Sequence, residues 1–261
     1  MKNFFKFFSV VLLTFYFSIQ VSAWGAKGHR IIGEIAQRHL NRDVSKKISQ
    51  ILQGESLAMC STWMDHIKSD KSFKYMYTWH YCTIPDDKLS YDDCEVPKSG
   101  DAIQTIERLI QELSTKKISD GDERMAIRML THLIGDIHQP LHVGNGEDRG
   151  GNDMKIKWFG SKSNLHRIWD SELIKYQDLS YTEYVNWIEK TVSPSRLNYE
   201  KDPVRTWAME SKMIRMSGIY PPEEKTSLGY NYNFKHINPL NQRLKEAGMR
   251  LAHVLNEIYK K

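Results

Sequence analysis

Between Met125 and Ile137 the apolar residues Met125, Met129, Leu130, Leu133, Ile134 and Ile137 recur at intervals of three and four, and Pro140 follows. That spacing puts all six on one stripe of an α-helix, which must bury the stripe and must end before the proline. The same helix carries His132 and Asp136, four residues apart and therefore projecting from nearly one face. Polar side chains beside such large apolar neighbours need partners inside the protein.

The helical period dominates elsewhere. Ile31, Ile35 and Ala36 mark an early helix, and Ala102, Ile103, Ile106, Leu109, Ile110 and Leu113 mark another. Asp202–Pro203 reads as an N-cap with proline in the first turn, and Asn238–Pro239 repeats the device, opening a helix with Leu240, Leu244, Leu251, Leu255 and Ile258 on its stripe. One short stretch differs: Met154, Ile156 and Trp158 alternate with Lys155 and Lys157, and residues 160–164 supply turn residues, which predicts a small strand or β-hairpin. The stretches 83–100, 144–152 and 218–236 read as surface excursions. The fold class expected is mainly α, a single helical domain with a small β-hairpin.

At the start, Lys2 and Lys6 precede an apolar run from Phe7 to Ile19, and Val21 and Ala23 stand at the small-residue positions of a cleavage site. Residues 1–23 therefore read as a signal peptide, too short in their apolar part for a membrane span, and the mature chain is expected to be 24–261, periplasmic or secreted, without a membrane anchor. With 40% hydrophobic and 26% charged residues, the 261-residue chain is neither fibrous nor low-complexity. Removing Lys2 and Lys6 from the 37 Lys and Arg leaves an excess of three over the 32 Asp and Glu, too small to imply strong nonspecific polyanion binding. Cys60, Cys82 and Cys94 are too few for a disulfide scaffold; a Cys82–Cys94 bridge closing a loop, with Cys60 a buried thiol, is the expected arrangement. No Asn-x-Ser/Thr acceptor occurs, which suits a bacterial exported protein.

The chemistry-bearing residues cluster by motif. A second HxxxD pair, His166 and Asp170, lies in NLHRIWDSELI, and His142 closes GDIHQPLH just after Pro140. Two ligands one helical turn apart can grip one cation, and mixed imidazole and carboxylate suits zinc, although a lone histidine near an acid is more often an ordinary hydrogen bond. His80 in WHY and Asp65 in TWMDHI sit beside large apolar residues; each taken alone would pass for a core histidine and a capping aspartate. WGAKGHR would pass for a helix start, except that processing makes Trp24 the terminal residue, with a free amine five residues before His29.

Taken together, WGxxGH after a signal site, WxD, WHY, HxxGDxHQPLH, GGN and HxxWD, in this order across 24–261, resemble the zinc-dependent nuclease family typified by nuclease S-one and nuclease P-one, which shares its fold with bacterial zinc phospholipase C. The closing QRLKEAGMRLAHVLN is similar too. The resemblance implies three zinc ions: one held by Asp65, His80, His132 and Asp136; a close neighbour held by the amine and carbonyl of Trp24 with His29 and a bridging Asp136; and a third held by His142, His166 and Asp170. His39, His66, His138, His236 and His253 fall outside these positions; His138 lies about 240° around the helix from His132.

A phosphodiester needs a nucleophile deprotonated near neutrality and positive charge on both sides of phosphorus. The resemblance implies that hydroxide bridging the paired zincs attacks while the third zinc stabilises the departing 3′ oxygen. It further implies that Lys68 neutralises phosphate, that Asn152 is a polar substrate contact, and that Tyr81 stacks a base of single-stranded DNA, RNA or a 3′-nucleotide. A solvated Lys68 and a core Tyr81 are the plain alternatives. Three residues after His80, where several family members carry Asp, this chain has Thr83, and Asp65 is the expected substitute proton acceptor. A zinc phospholipase C is the nearest rival, but the lipases resembled end the ligand series with Glu rather than Asp170; a zinc-binding protein without catalysis would keep the ligands and need not keep Lys68 or Asn152. A monomer is expected.

Overall fold

The computed structural model describes residues 24–193 and 202–260, so the signal-peptide reading of 1–23 lies outside the described residues. Eleven α-helices are seen among the described residues: α1 (Ala26–His39), α2 (Arg42–Ile51), α3 (Leu57–Cys60), α4 (Trp63–Ile67), α5 (Ala102–Ser114), α6 (Asp120–Ile137), α7 (Leu165–Arg167), α8 (Leu173–Tyr176), α9 (Tyr181–Thr191), α10 (Val204–Met216) and α11 (Tyr230–Tyr259). The architecture is mainly α. A 3-10 helix, Lys71–His80, precedes the strand β1 (Cys82–Thr83), which pairs in parallel with β2 (Val143–Gly144). A hairpin joins β3 (Lys155–Trp158) to β4 (Ser161–Asn164), and β5 (Ser227–Leu228) adds to β3 in parallel. No described helix is long and apolar enough to cross a membrane.

The predicted α6 stripe is the centre of the packing. Leu130, Leu133, Ile134 and Ile137 are wholly buried, Met129 nearly so and Met125 partly, Ile127 beside them is buried too, and α6 packs against α1, α4, α5 and α11. Helix α1 buries Ile31, Ile32, Ile35 and Ala36 and crosses α11 at Gly248, where a Cβ would stand 2.6 Å from the Ile35 side chain. In the hairpin, Ile156 and Trp158 point inward and Lys155 and Lys157 outward, as their alternation predicts; residues 161–164, read as turn, form the returning strand.

Three expectations are corrected. Helix α11 begins at Tyr230, so Pro239 lies inside it rather than at its start. The proline forfeits one backbone bond, yet the turns before it are held by tertiary contacts: the Tyr232 hydroxyl donates to Ile219 O at 2.6 Å and accepts from Trp169 Nε1 at 2.9 Å, and His236 packs against both rings. Asp202 does not cap α10; its carboxylate accepts from Arg250 at 3.4 Å. The Cys82–Cys94 bridge is absent, and all three cysteines are thiols. Cys82 is buried in β1, which raises its thiol pKa well above the usual value, while Cys94 Sγ turns toward Ser90 O at 3.5 Å.

Two buried arginines fasten the C-terminal end of α6. Arg243 donates to His138 O at 3.1 Å, to Ser211 Oγ at 2.8 Å and to Glu246 at 2.6 Å, and Arg250 Nη1 lies 3.0 Å from His138 Nε2. Both pair with Glu210, at 2.8 Å and 2.6 Å. Breaking a buried ion pair by removing one charge leaves the other uncompensated, at a cost of about 3–5 kcal/mol. Glu210→Gln keeps the shape and removes the charge that both arginines share, but leaves Glu246 beside Arg243 and Asp202 beside Arg250, so it is expected to lower Tm by about 5 °C rather than by the full cost of an unpaired charge. A thermal melt showing less than about 2 °C of change would mean that the network contributes little.

Candidate metal centre

Four segments bring their polar side chains to one end of α6. His132 and Asp136 project from its last turns; His29 comes from α1, Asp65 from α4, and His80 from the end of the 3-10 helix. Gly135 lets His29 approach, since a Cβ there would stand 3.0 Å from His29 Nδ1. The rings of His29 and His132 stack with centroids 3.9 Å apart. Asp136, wholly buried, has Oδ1 3.3 Å from His29 Nε2 and Oδ2 3.0 Å from His80 Nδ1 and 3.2 Å from His132 Nε2. Asp65 Oδ1 stands 3.8 Å from His132 Nε2 and accepts from Lys68 Nζ at 2.7 Å.

A third set lies alongside. His142 follows the proline in a short 3-10 turn, and His166 and Asp170 span α7 and a π-helical segment, Ile168–Glu172. His166 Nε2 is 3.1 Å and His142 Nε2 3.8 Å from the Asp170 carboxylate, and His142 Nδ1 is 3.8 Å from Asp136 Oδ1. The donor atoms thus form three groups able to hold a cation: His29, His132 and Asp136; Asp65, His80 and His132; and His142, His166 and Asp170. His132 is common to the first two groups, whereas the ligand sets implied by the resemblance share only Asp136.

Each imidazole is aimed by its second nitrogen or by packing. His132 Nδ1 donates to Ser61 O at 2.7 Å, His142 Nδ1 to His80 O at 2.6 Å and His166 Nδ1 to Gly150 O at 2.7 Å, which turns each Nε2 inward, that of His132 to 3.0 Å from His80 Nδ1. Burial lowers the pKa of His29 and His142 and pushes His80 to about 4. Burial works against ionised Asp136, but His132 and His142 outweigh it and hold the carboxyl well below the usual range. Asp65 likewise resists burial through His132 and Lys68 and stays low. At His132 and His166 burial is overcome by the neighbouring aspartates, which raise the pKa of each ring. Asp65 and Asp136 are therefore held charged and His29, His80 and His142 neutral, the forms that bind metal, whereas His132 and His166 hold their protons more tightly and must release them to a cation.

The fit to metal rests on buried donor atoms that face one another without hydrogen-bond geometry. His29 Nε2, Asp136 Oδ1, His142 Nε2 and His166 Nε2 are buried with no hydrogen bond. An unsatisfied buried polar atom costs about 1–3 kcal/mol, and four at one place call for cations to complete them. Imidazole with carboxylate is a donor set that suits zinc.

The start of the described chain is fastened here too. Trp24 is completely buried, its indole Nε1 donates to Gly135 O at 2.7 Å, and Gly25 N donates to Asp170 O at 2.7 Å. A Cβ on Gly25 would fall 2.2 Å from Ser171 Oγ, so this residue's smallness allows the approach.

Beside the His/Asp groups opens a cavity of about 300 Å³, lined by His80, His142 and His166 together with Lys68, Tyr81 and Asn152. The family comparison accords with this arrangement: a family model described as S1/P1 Nuclease matches residues 24–260. The chain belongs to the S1/P1 nuclease family. It is similar to Endonuclease 2 of Arabidopsis thaliana, 30% identical over 94% of this chain and 93% of the relative. It is also similar to Nuclease S1 of Aspergillus oryzae, 27% identical over 90% of this chain and 91% of the relative, and to Nuclease P1 of Penicillium citrinum, 26% identical over 90% and 98%. This nuclease is therefore a hydrolase of nucleic acids whose three His/Asp groups could hold metal ions.

The five histidines outside the ligand positions stay out of the centre. His138, within the motif, donates from Nδ1 to Ile134 O at 2.7 Å and faces Arg250 on the far side of α6; His236 packs in the core, and His39 pairs with Glu189 at 3.2 Å. His66 is exposed and His253 half-buried, away from the centre. Thr83 lines the cavity, its methyl 3.2 Å from where a Cβ on Gly146 would sit. Sequence reasoning missed Gln139, a buried amide that donates to Asp170 Oδ1 at 2.6 Å and accepts from Leu141 N at 2.6 Å, linking the α6 end to the third group. It also missed Tyr77, whose ring meets Tyr81 edge-on at 6.3 Å across the 3-10 helix end.

Because Asp136 faces all three groups, Asp136→Asn is expected to lower bound metal by at least one ion per chain and to reduce nuclease activity by more than a hundredfold. Elemental analysis beside an activity assay checks this, with His253→Ala retaining full metal and activity for comparison. Full metal content in the Asp136 variant would remove the carboxylate from the centre.

Proposed function

We propose that the mature nuclease, beginning at Trp24, is an exported zinc-dependent phosphodiesterase that cleaves single-stranded DNA and RNA to 5′-phosphorylated products and also hydrolyses 3′-nucleotides. The observation that carries this reading is the convergence of three His/Asp groups beside one cavity, which His80, His142 and His166 line together with two cations, Lys68 and Arg149, and two aromatic rings, Tyr77 and Tyr81. Asp65, His80, His132 and Asp136 would hold one zinc; the Trp24 amine and carbonyl with His29 and Asp136 a second; His142, His166 and Asp170 a third. Zinc bound there supplies positive charge for the phosphate oxygens and lowers the pKa of coordinated water toward about 7.

The chain's own groups do the rest. Lys68, ion-paired to Asp65 and lining the cavity, neutralises a phosphate oxygen. Asp65, held ionised, accepts a proton from the attacking water in place of the Asp that this chain lacks at Thr83. Tyr81, half-buried in the cavity wall, stacks a base, a contact of about 1–3 kcal/mol that tolerates any sequence. Asn152, whose Nδ2 donates to Arg149 O at 2.9 Å, is fixed to offer its amide oxygen to the substrate.

Export follows from the reading of residues 1–23, and it has a chemical consequence. Only cleavage before Trp24 places the α-amine on that residue, where a pKa near about 8 lets it become a neutral nitrogen ligand; an amide nitrogen inside a chain has no such lone pair. The location is then periplasmic or secreted, and the working unit a monomer.

Two outcomes are expected. On single-stranded DNA, RNA, duplex DNA, a 3′-nucleotide and phosphatidylcholine, the zinc-loaded protein should cut single strands and the 3′-nucleotide, cut duplex at least tenfold more slowly, and leave the lipid intact. Products ending in 3′-phosphate, or equal rates on duplex and single strands, would contradict the assignment. A form with two residues added before Trp24 should lose one zinc and nearly all cleavage relative to the processed form; equal zinc content and rate in both would make Trp24 a packing residue only.

A further inference from the structure

The cavity has a rim that these roles leave unused. Arg149 lines it with a side chain 73% exposed, whereas Lys68, the other cation on the wall, is 19% exposed and turned in onto Asp65. Arg149, Gly150 and Gly151 have φ of 53°, 63° and 80°, three successive residues in the left-handed region. Glycine adopts that region freely, but a long-chain residue there is uncommon and costs about 1 kcal/mol or more.

The strained turn is tied to the metal centre from several sides. Gly150 O accepts from His166 Nδ1 at 2.7 Å, and a Cβ on Gly150 would fall 2.1 Å from Leu141 O. Arg149 O accepts from Asn152 Nδ2 at 2.9 Å, and Gly151 N donates to Asp148 Oδ1 at 2.9 Å. The guanidinium thus hangs from a backbone in fixed register with His166 and Asn152. Its partner is Asp153, whose oxygens accept from Nε at 3.0 and 3.2 Å. An exposed ion pair of this kind contributes little to stability, so it does not account for the strained backbone.

We propose that Arg149 binds the phosphate adjacent to the scissile one on a single-stranded chain, and that Asp153 holds the guanidinium extended at the rim until substrate arrives. This rests on the reading of the cavity as a phosphodiesterase site. A cavity of about 300 Å³ is at the small end for ligand sites and takes one nucleotide, so the next phosphate must lie at its mouth. There Arg149 presents a planar fork that matches two phosphate oxygens, while Lys68 serves the phosphate inside as a point charge. Arg149 in this role makes the enzyme prefer chains over the smallest substrates.

The test compares a single-stranded decanucleotide with a dinucleoside monophosphate, which has one phosphodiester and no neighbouring phosphate. In Arg149→Gln the ratio of kcat/KM for the longer over the shorter substrate should fall about tenfold, mainly through KM. The slope of log kcat/KM against log salt on the decanucleotide should become shallower by about 0.7, one fewer phosphate contact. Asp153→Asn, which removes the competing carboxylate, should raise the same ratio. An unchanged ratio and slope, or equal losses on both substrates, would overturn the role of Arg149 while leaving the phosphodiesterase reading intact. A wild-type enzyme inactive on both substrates would overturn that reading and this one with it.

Discussion

The carboxylate of Asp136 is wholly buried, and the imidazoles of His29, His80, His132 and His142 all lie within 3.8 Å of it. A charge in that position is sustained only by cations around it. The arrangement of the chain follows from meeting that demand. Helix α6 has to present its last two turns to α1 and to the 3-10 helix, the proline turn has to return His142 to the same place, and Gly135 has to stay small so that His29 can approach. The opposite face of the same helix end is gripped by Arg243 and Arg250 through His138. One motif, GDIHQPLH, therefore looks two ways, toward the metal groups and toward a buried charge network that keeps them in register.

The centre also depends on the first described residues. Trp24 and Gly25 bond to Gly135 and to Asp170, which belong to two different parts of the site, so they join the α6 end to the π-helical segment. Gln139 makes a second such link. These contacts place the third His/Asp group at a fixed offset from the other two, a requirement for a site that is to grip one phosphate from more than one side.

Much of this was legible in the sequence because it is local. The α6 stripe, the α5 stripe and the alternation of Ile156 and Trp158 follow from side-chain periods alone. The His and Asp motifs were legible because two HxxxD pairs, His142 and the other motifs recur in one fixed order that resembles a known family, where a single pair would pass for an ordinary hydrogen bond. What escaped was tertiary. Asn238–Pro239 is a strong helix-start signal, yet Tyr232 and His236 are packed well enough to extend α11 nine residues before Pro239. Asp202 had the right neighbours for a cap and instead answers Arg250, a residue 48 positions away. The sharing of His132 between two groups, the π-helical setting of Asp170 and the edge-on meeting of Tyr77 with Tyr81 depend on how segments meet, and no period in the sequence encodes them.

The central claim is that Asp136 organises a three-metal centre at the end of α6. The most direct measurement is anomalous scattering above and below the zinc edge from crystals of the processed 24–261 chain. The account predicts three zinc peaks, one at Asp65, His80 and His132, one at His29 with the Trp24 terminus, both in contact with Asp136, and one at His142, His166 and Asp170. A single peak, or peaks that leave Asp136 without a metal neighbour, would contradict it.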